Sequence, residues 1–243
     1  MRASRSTVAA VSACALLAGC SVTVDGTATT SAGADPPVAS RSLTEVLPTG
    51  EELSTTLSVG PDGFMGQLVE GGTDTLLRGV GDSEASPADC VSATYRLQNI
   101  TYAASPVRSV ASRSWTGGDL GGPAFSGFFG VVKLATAGDA EEFFATVAAK
   151  WRQCNGKTMV LDRPGRGSDG SSAINSVQID GRVVSAVVTH AGGPKSVSIQ
   201  RALGVAADCI VDVEVTDFGP DGGNGDADDA VDVANLMLDK IGR

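Results

Sequence analysis

The chain reads as an α+β fold, an antiparallel β-sheet with helices packed against one face. Three observations predict it. Segments of alternating or β-branched apolar residues follow one another across short Gly, Pro and Asp turns with no helix between them, which implies antiparallel pairing. Phe143, Phe144, Val147, Ala148, Trp151 and Cys154 recur at three- and four-residue steps and form one apolar helical stripe. Val231, Ala234, Leu238 and Ile241 form a second stripe at the C-terminal end.

Ahead of the fold, Arg2 and Arg5 precede an apolar run from Val8 to Gly19 that is too short to span a bilayer. The run closes on Leu17-Ala18-Gly19-Cys20, which resembles the bacterial lipobox. The resemblance implies a lipoprotein signal peptide over residues 1–19 and a diacylglycerol on the thiol of Cys20. It places the chain at the cell membrane, lipid-anchored on the extracytoplasmic face. From Cys20 to Ser40 the composition is Ser, Thr, Ala, Gly and Pro with few large apolar residues, a flexible tether rather than a core. Residues 41–243 remain for one domain. Loss of Arg2 and Arg5 leaves 16 basic against 28 acidic residues, a net charge of −12, which argues against a nucleic-acid partner and against charge-driven membrane binding.

Within the domain, Ser42 caps a short helix through Leu43, Val46 and Leu47, and Pro48 interrupts it. Thr49 with Glu52 reads as a capping box opening a second helix through Leu53 and Leu57. The stretch from Gly60 to Ala88 is dense in Gly, Asp, Ser and Pro and reads as an ordered, irregular loop. Strands are expected around Tyr95, Leu97 and Asn99, over Val107 to Trp115, and over Phe125 to Ala135 after Gly121-Gly122-Pro123. Asp139 is expected to cap the long striped helix, which Asn155-Gly156 ends. Thr158 to Leu161 is a short strand and Arg163 to Ser172 a loop. Ile174 to Ile179 and Val183 to Thr189 form a hairpin across Asp180-Gly181, followed after Gly192-Gly193-Pro194 by Ser196 to Val205 and then Cys209 to Val215. In the closing helix, carboxylates from Asp226 to Asp229 sit at the positive N-terminus, and Lys240 and Arg243 at the other end.

Cys14 lies in the signal and Cys20 is the lipid site, so Cys90, Cys154 and Cys209 stand in the exported domain. An odd count there implies one disulfide and one free thiol. With no CxxC pair and a single histidine, His190, neither a structural zinc site nor any other cofactor is expected. The acidic loop from Asp217 to Asp229 fits neither calcium-loop pattern and reads as helix capping and solvation. Asn99-Ile100-Thr101 is a glycan sequon that a bacterial lipobox makes idle.

Leu43-x-x-Val46-Leu47-Pro48, Pro87-x-x-Cys90, Trp151-Arg152-Gln153-Cys154, Gln200-Arg201-Ala202-Leu203 and Val211-Asp212-Val213 occur in this order ahead of the Ala-containing last helix. Together they resemble the PknH-like extracellular sensor domain, a family found on a mycobacterial Ser/Thr kinase and on stand-alone lipoproteins. The likeness runs from about Ser42 to Gly242. It implies an α+β domain with a ligand cleft, no catalytic residues, and an unidentified small-molecule or envelope ligand. Two further cysteines usual in the family correspond here to Ile199 and approximately Thr216. Their joint absence implies that they pair with each other in the family, which leaves Cys90 and Cys154 to bond and Cys209, beside Ile210 and Val211, as a free thiol. The expected function is thus a non-catalytic, sensor-like binding domain held at the membrane by its N-terminal lipid, as a monomer. The alternative is a secreted envelope hydrolase using His190, for which no GxSxG elbow is present.

Overall fold

In the computed structural model the described residues are 42–60, 62–81, 83–118, 124–162, 170–191, 196–218 and 226–242. The signal, Cys20, the tether, Gly121–Pro123, Gly192–Pro194, most of the Arg163 loop and the middle of the acidic loop lie outside them.

Ser42 caps α1 (Leu43–Val46), accepting from the Thr44 N–H at 3.3 Å. The expected capping box closes α2 (Gly50–Thr56): the Thr49 N–H donates to Glu52 Oε2 at 2.7 Å, and the Glu52 N–H donates to Thr49 Oγ1 at 3.2 Å. The stretch expected as an irregular loop carries three short strands, β1 (Gly63–Met65), β2 (Val69–Gly71) and β3 (Ala85–Ser86). They are too short to signal themselves and are extended because longer neighbours offer them an edge.

Around Tyr95, Leu97 and Asn99 the expected strand is replaced by two single-turn helices, α3 (Val91–Thr94) and α4 (Asn99–Tyr102). Leu97 between them adopts φ +47°, a left-handed conformation outside the regular strand region. The alternation seen there is a tight reversal.

β4 (Val107–Gly118) and β5 (Ala124–Leu134) follow as long paired strands. α5 (Ala137–Cys154) begins two residues before the expected Asp139, because Thr136 is its cap. The Thr136 hydroxyl accepts from the Asp139 N–H at 3.1 Å and donates to Asp139 Oδ2 at 2.6 Å. β6 (Thr158–Leu161), β7 (Ser171–Asp180), β8 (Val183–Ala191), β9 (Val197–Ala206) and β10 (Cys209–Asp217) then form the meander, and α6 (Asp228–Ile241) closes the chain. Gly181 supplies the positive φ, +53°, that the β7–β8 turn requires.

The strands form one sheet in the order β1-β4-β5-β10-β9-β8-β7-β6-β3, with β2 also on β4, and every pairing is antiparallel. The fold is α+β, but the helices cover both faces, which corrects the expectation of one. Val183 to Val188 and Cys209 to Val213 are buried without a break, so these central strands are covered on both sides by two layers. On the first face, Phe143, Val147 and Trp151 of α5 meet Val132, Ile174, Leu203 and Ile210. On the second, Leu53, Met237 and Leu238 from α2 and α6 meet Trp115, Phe129, Val211 and Val213. α6 comes so near β9 that a Cβ on Gly204 would lie 2.7 Å from Leu238 Cδ1.

The start of α6 carries Asp228 and Asp229 in its first turn and is capped from the sheet. Ala227 gives no side-chain cap. Instead Gln200 Oε1 accepts from the Ala230 N–H at 3.2 Å, and Gln200 Nε2 donates to Asp229 at 2.7 Å. Among the described residues no helix is long and apolar enough to cross a membrane.

Candidate functional site

The segment from Ala88 to Pro106 is the element that shapes the first face. A disulfide from Cys90 to Cys154, the expected pair, ties its start to the last turn of α5, with the Cα atoms 5.7 Å apart. All four residues of α3 are buried. Trp151, wholly buried, donates from Nε1 to Ser92 Oγ at 3.1 Å.

Where the segment reverses, the sheet presents charge. Arg201 of β9 and Asp212 of β10 are both buried and pair at 2.8 Å. Arg201 also donates to Ser92 O and Val213 O, each at 3.2 Å, and stands 5.8 Å from the Trp151 ring. The other oxygen of Asp212 accepts from the Leu97 N–H at 2.8 Å and the Tyr102 hydroxyl at 3.3 Å. A buried ion pair is held by the further hydrogen bonds its groups make, and here three of four, from Ser92, Leu97 and Tyr102, come from the segment laid over it, while Arg201 Nε is left without a partner. Burial, then the charge of Asp212, raises the Tyr102 hydroxyl well above its ordinary value. Gly130 beneath is obligatory, since a Cβ there would come 2.6 Å from Leu97 Cδ1.

Outward from this lock, Arg96 lies 3.5 Å over the Phe128 ring and pairs with Glu214 at 2.6 Å. Tyr95 stacks on His190, their centroids 5.5 Å apart. His190 Nδ1 is 2.8 Å from Ser172 Oγ, and burial lowers its pKa. Ser172 is buried within β7, and Glu214, the carboxylate that acts on the imidazole, is held by Arg96. The histidine is therefore packed between the Tyr95 ring and the Ser172 hydroxyl.

Against α5 the outer side of the same segment leaves a groove of about 520 Å³. Its floor is Val91, Ile100, Phe143 and Val147, firm because Phe143 also stacks on Tyr102 at 4.8 Å. Its rim carries Glu142 and the Asp89–Lys150 pair, 2.8 Å apart. This is the concave, mainly apolar kind of surface that holds small molecules. Among the described residues no cluster of three metal-ligating side chains exists. Cys209 is a buried free thiol on the opposite face of the sheet, and Cys20 lies outside the described residues.

The family model of the PknH-like extracellular domain matches residues 38–240. The chain belongs to that family. Among solved structures, the extracellular domain of PknH from Mycobacterium tuberculosis superposes with a TM-score of 0.66 at 23% identity, over 85% of this chain and 98% of that one, and so shares the fold. An uncharacterised Mycobacterium smegmatis protein aligns at a TM-score of 0.42 and 10% identity, over 84% of this chain and 97% of its own. No curated protein matches the chain.

Four of the stretches that carry the likeness, those at Cys90 and at residues 151–154, 200–203 and 211–213, meet at one place, while residues 43–47 and the last helix pack on the second face. Cys90, Trp151, Cys154, Arg201 and Asp212 are the residues that lock the segment to helix and sheet. In this chain those four motifs hold the segment in place, while the groove residues Ile100, Ala104 and Thr146 belong to none of them. The sequence carries no signal for Ile100 and Ala104, because α4 lies under an apparent strand, nor for Thr146, which is exposed on α5 off its apolar stripe.

Proposed function

We propose that this PknH-like domain is a non-catalytic, sensor-like binding module on the outer side of the cell membrane, held there by acylated Cys20, and that it takes a small molecule or envelope component in the groove between α4 and α5. The observation that carries the reading is that groove: about 520 Å³, an apolar floor, and walls fixed by a disulfide and a buried ion pair. Such a site binds by shape and burial, with the polar rim setting orientation. Family membership supports it. Protein-observed NMR with a panel of small-molecule fragments tests it. Hits should shift the amides of Thr101, Ala104 and Thr146, and Ala104→Trp, which fills the groove from an exposed position, should abolish them. Hits that ignore Ala104→Trp would overturn the reading. Anchoring is tested by Cys20→Ala, which should release the protein from membranes or leave it unprocessed.

The hydrolase alternative draws on the 2.8 Å Ser172–His190 contact. A buried serine whose histidine shares its one acting carboxylate, Glu214, with Arg96 is a weak nucleophile. Turnover of envelope esters or glycans lost in His190→Ala would revive it.

A further inference from the structure

A second pocket lies on the other flank of the segment, over β4 and β5, with a volume of about 190 Å³. Val69, Leu77, Leu97 and Phe128 give it an apolar lining, and Arg96 and Arg113 supply cations. Val69 and Leu77 are large apolar side chains left 43% and 39% exposed, and both border this one cavity. Exposed apolar groups converging on a concavity beside a charge mark a ligand surface more than a solvated one.

Two arginines line the cavity, Arg96 and Arg113; the Nε of Arg113 is buried and has no hydrogen-bond partner, so it adds positive charge and an unused donor beside Arg96. Arg201 is fully buried and shared among Asp212, Ser92 O and Val213 O. The Arg96 side chain is 24% exposed, and one of its N–H groups is engaged, by Glu214. A guanidinium carries five donors, so most of its capacity is unused. Glu214 also keeps a second cation, Arg201 Nη1 at 3.8 Å, so an incoming anion can share or replace it without stranding a carboxylate.

We infer that this pocket is a second binding site, for a small organic anion with an apolar body: the anionic head takes Arg96 and the body lies among Phe128, Leu77 and Val69. The site is separate from the groove. Its volume is about six times the ~30 Å³ share of a liquid water, which suits a ring with a short acid arm and excludes a long acyl chain. The acidity of the whole chain opposes it little, because charges beyond about 8 Å are screened at physiological salt, whereas the Arg96 bond is short and charge-assisted.

The test compares 3-phenylpropanoate with neutral 3-phenylpropan-1-ol by NMR titration of the folded domain. The acid should bind at least about tenfold more tightly, shifting the amides of Leu77, Arg96 and Phe128 and leaving Thr101 and Thr146 of the groove unmoved. Arg96→Gln should erase the difference between the probes, and Val69→Trp, at an exposed position, should block both. Equal affinity of the two probes for the wild-type domain, indifference to Val69→Trp, or shifts confined to the groove would each overturn the assignment. The first two of these results hold even if Arg96→Gln does not fold, and none of them bears on whether the groove is a site.

Discussion

At Cys209 and His190 burial decides what a reactive side chain does. Burial, with Asp208 adding to it, pushes the Cys209 thiol up to about 12 from an ordinary value near 9. Since the folded value is the higher one, the thiol's contribution to stability is fully present below pH 9 and is lost as pH rises toward 12. Ellman's reagent at pH 8 should find no reactive thiol in the native domain and one after denaturation without reductant. His190 works in the other direction. Its folded value lies below the ordinary 6.5, so the unfolded chain takes up a proton first and stability falls as pH drops from 6.5 to the folded value. His190→Gln should flatten that part of the pH-stability curve, measured by urea denaturation; an unchanged slope would mean that the ring is not buried as described.

At the scale of elements, α5 is fixed by its buried stripe and by Trp151 in particular. Trp151→Ala removes a wholly buried ring and should cost about 3–5 kcal/mol. Trp151→Phe keeps most of the volume, loses the bond to Ser92 Oγ and strands that hydroxyl, so about 1–3 kcal/mol is expected. If both variants lost the same amount, the hydrogen bond rather than packing would be the main tie. Thr136→Ala at the helix cap should cost about 1 kcal/mol in the same denaturation assay.

Over the whole molecule, the segment from Ala88 to Pro106 ties α5 to the sheet, through a covalent link and an electrostatic one. The disulfide closes a loop with a sequence separation of 64, and the chain-entropy relation gives about 4 kcal/mol for it. Serine at both Cys90 and Cys154 should lower the midpoint of denaturation accordingly, and a non-reduced digest of the wild type should yield the peptide linking them. Arg201→Met leaves Asp212 buried without its cation and should cost about 3–5 kcal/mol. Because the same lock fixes the wall of the groove, Arg201→Met should also weaken any ligand found there, even though Arg201 does not line it.

Local pattern was enough for the strands from Val107 to Val215, the α5 stripe, the Thr49–Glu52 box and the turn at Asp180-Gly181, because each rests on residues close in sequence that bury one face or satisfy their own backbone. Family likeness added the Cys90–Cys154 pair. Ile199 and Thr216, which stand where the family has cysteines, lie on paired strands one step beyond Val215–Gln200, so a cross-strand bond there is geometrically natural. Tertiary structure decided the rest. Whether a sheet is covered once or twice depends on what lies above each face, and both faces of β8 and β10 are buried. The turn at Leu97 is held by Asp212, 115 positions away, the start of α6 is capped by Gln200, and the groove exists only where α4 is pressed toward α5. Each of these depends on a partner distant in sequence, which no local periodicity can carry.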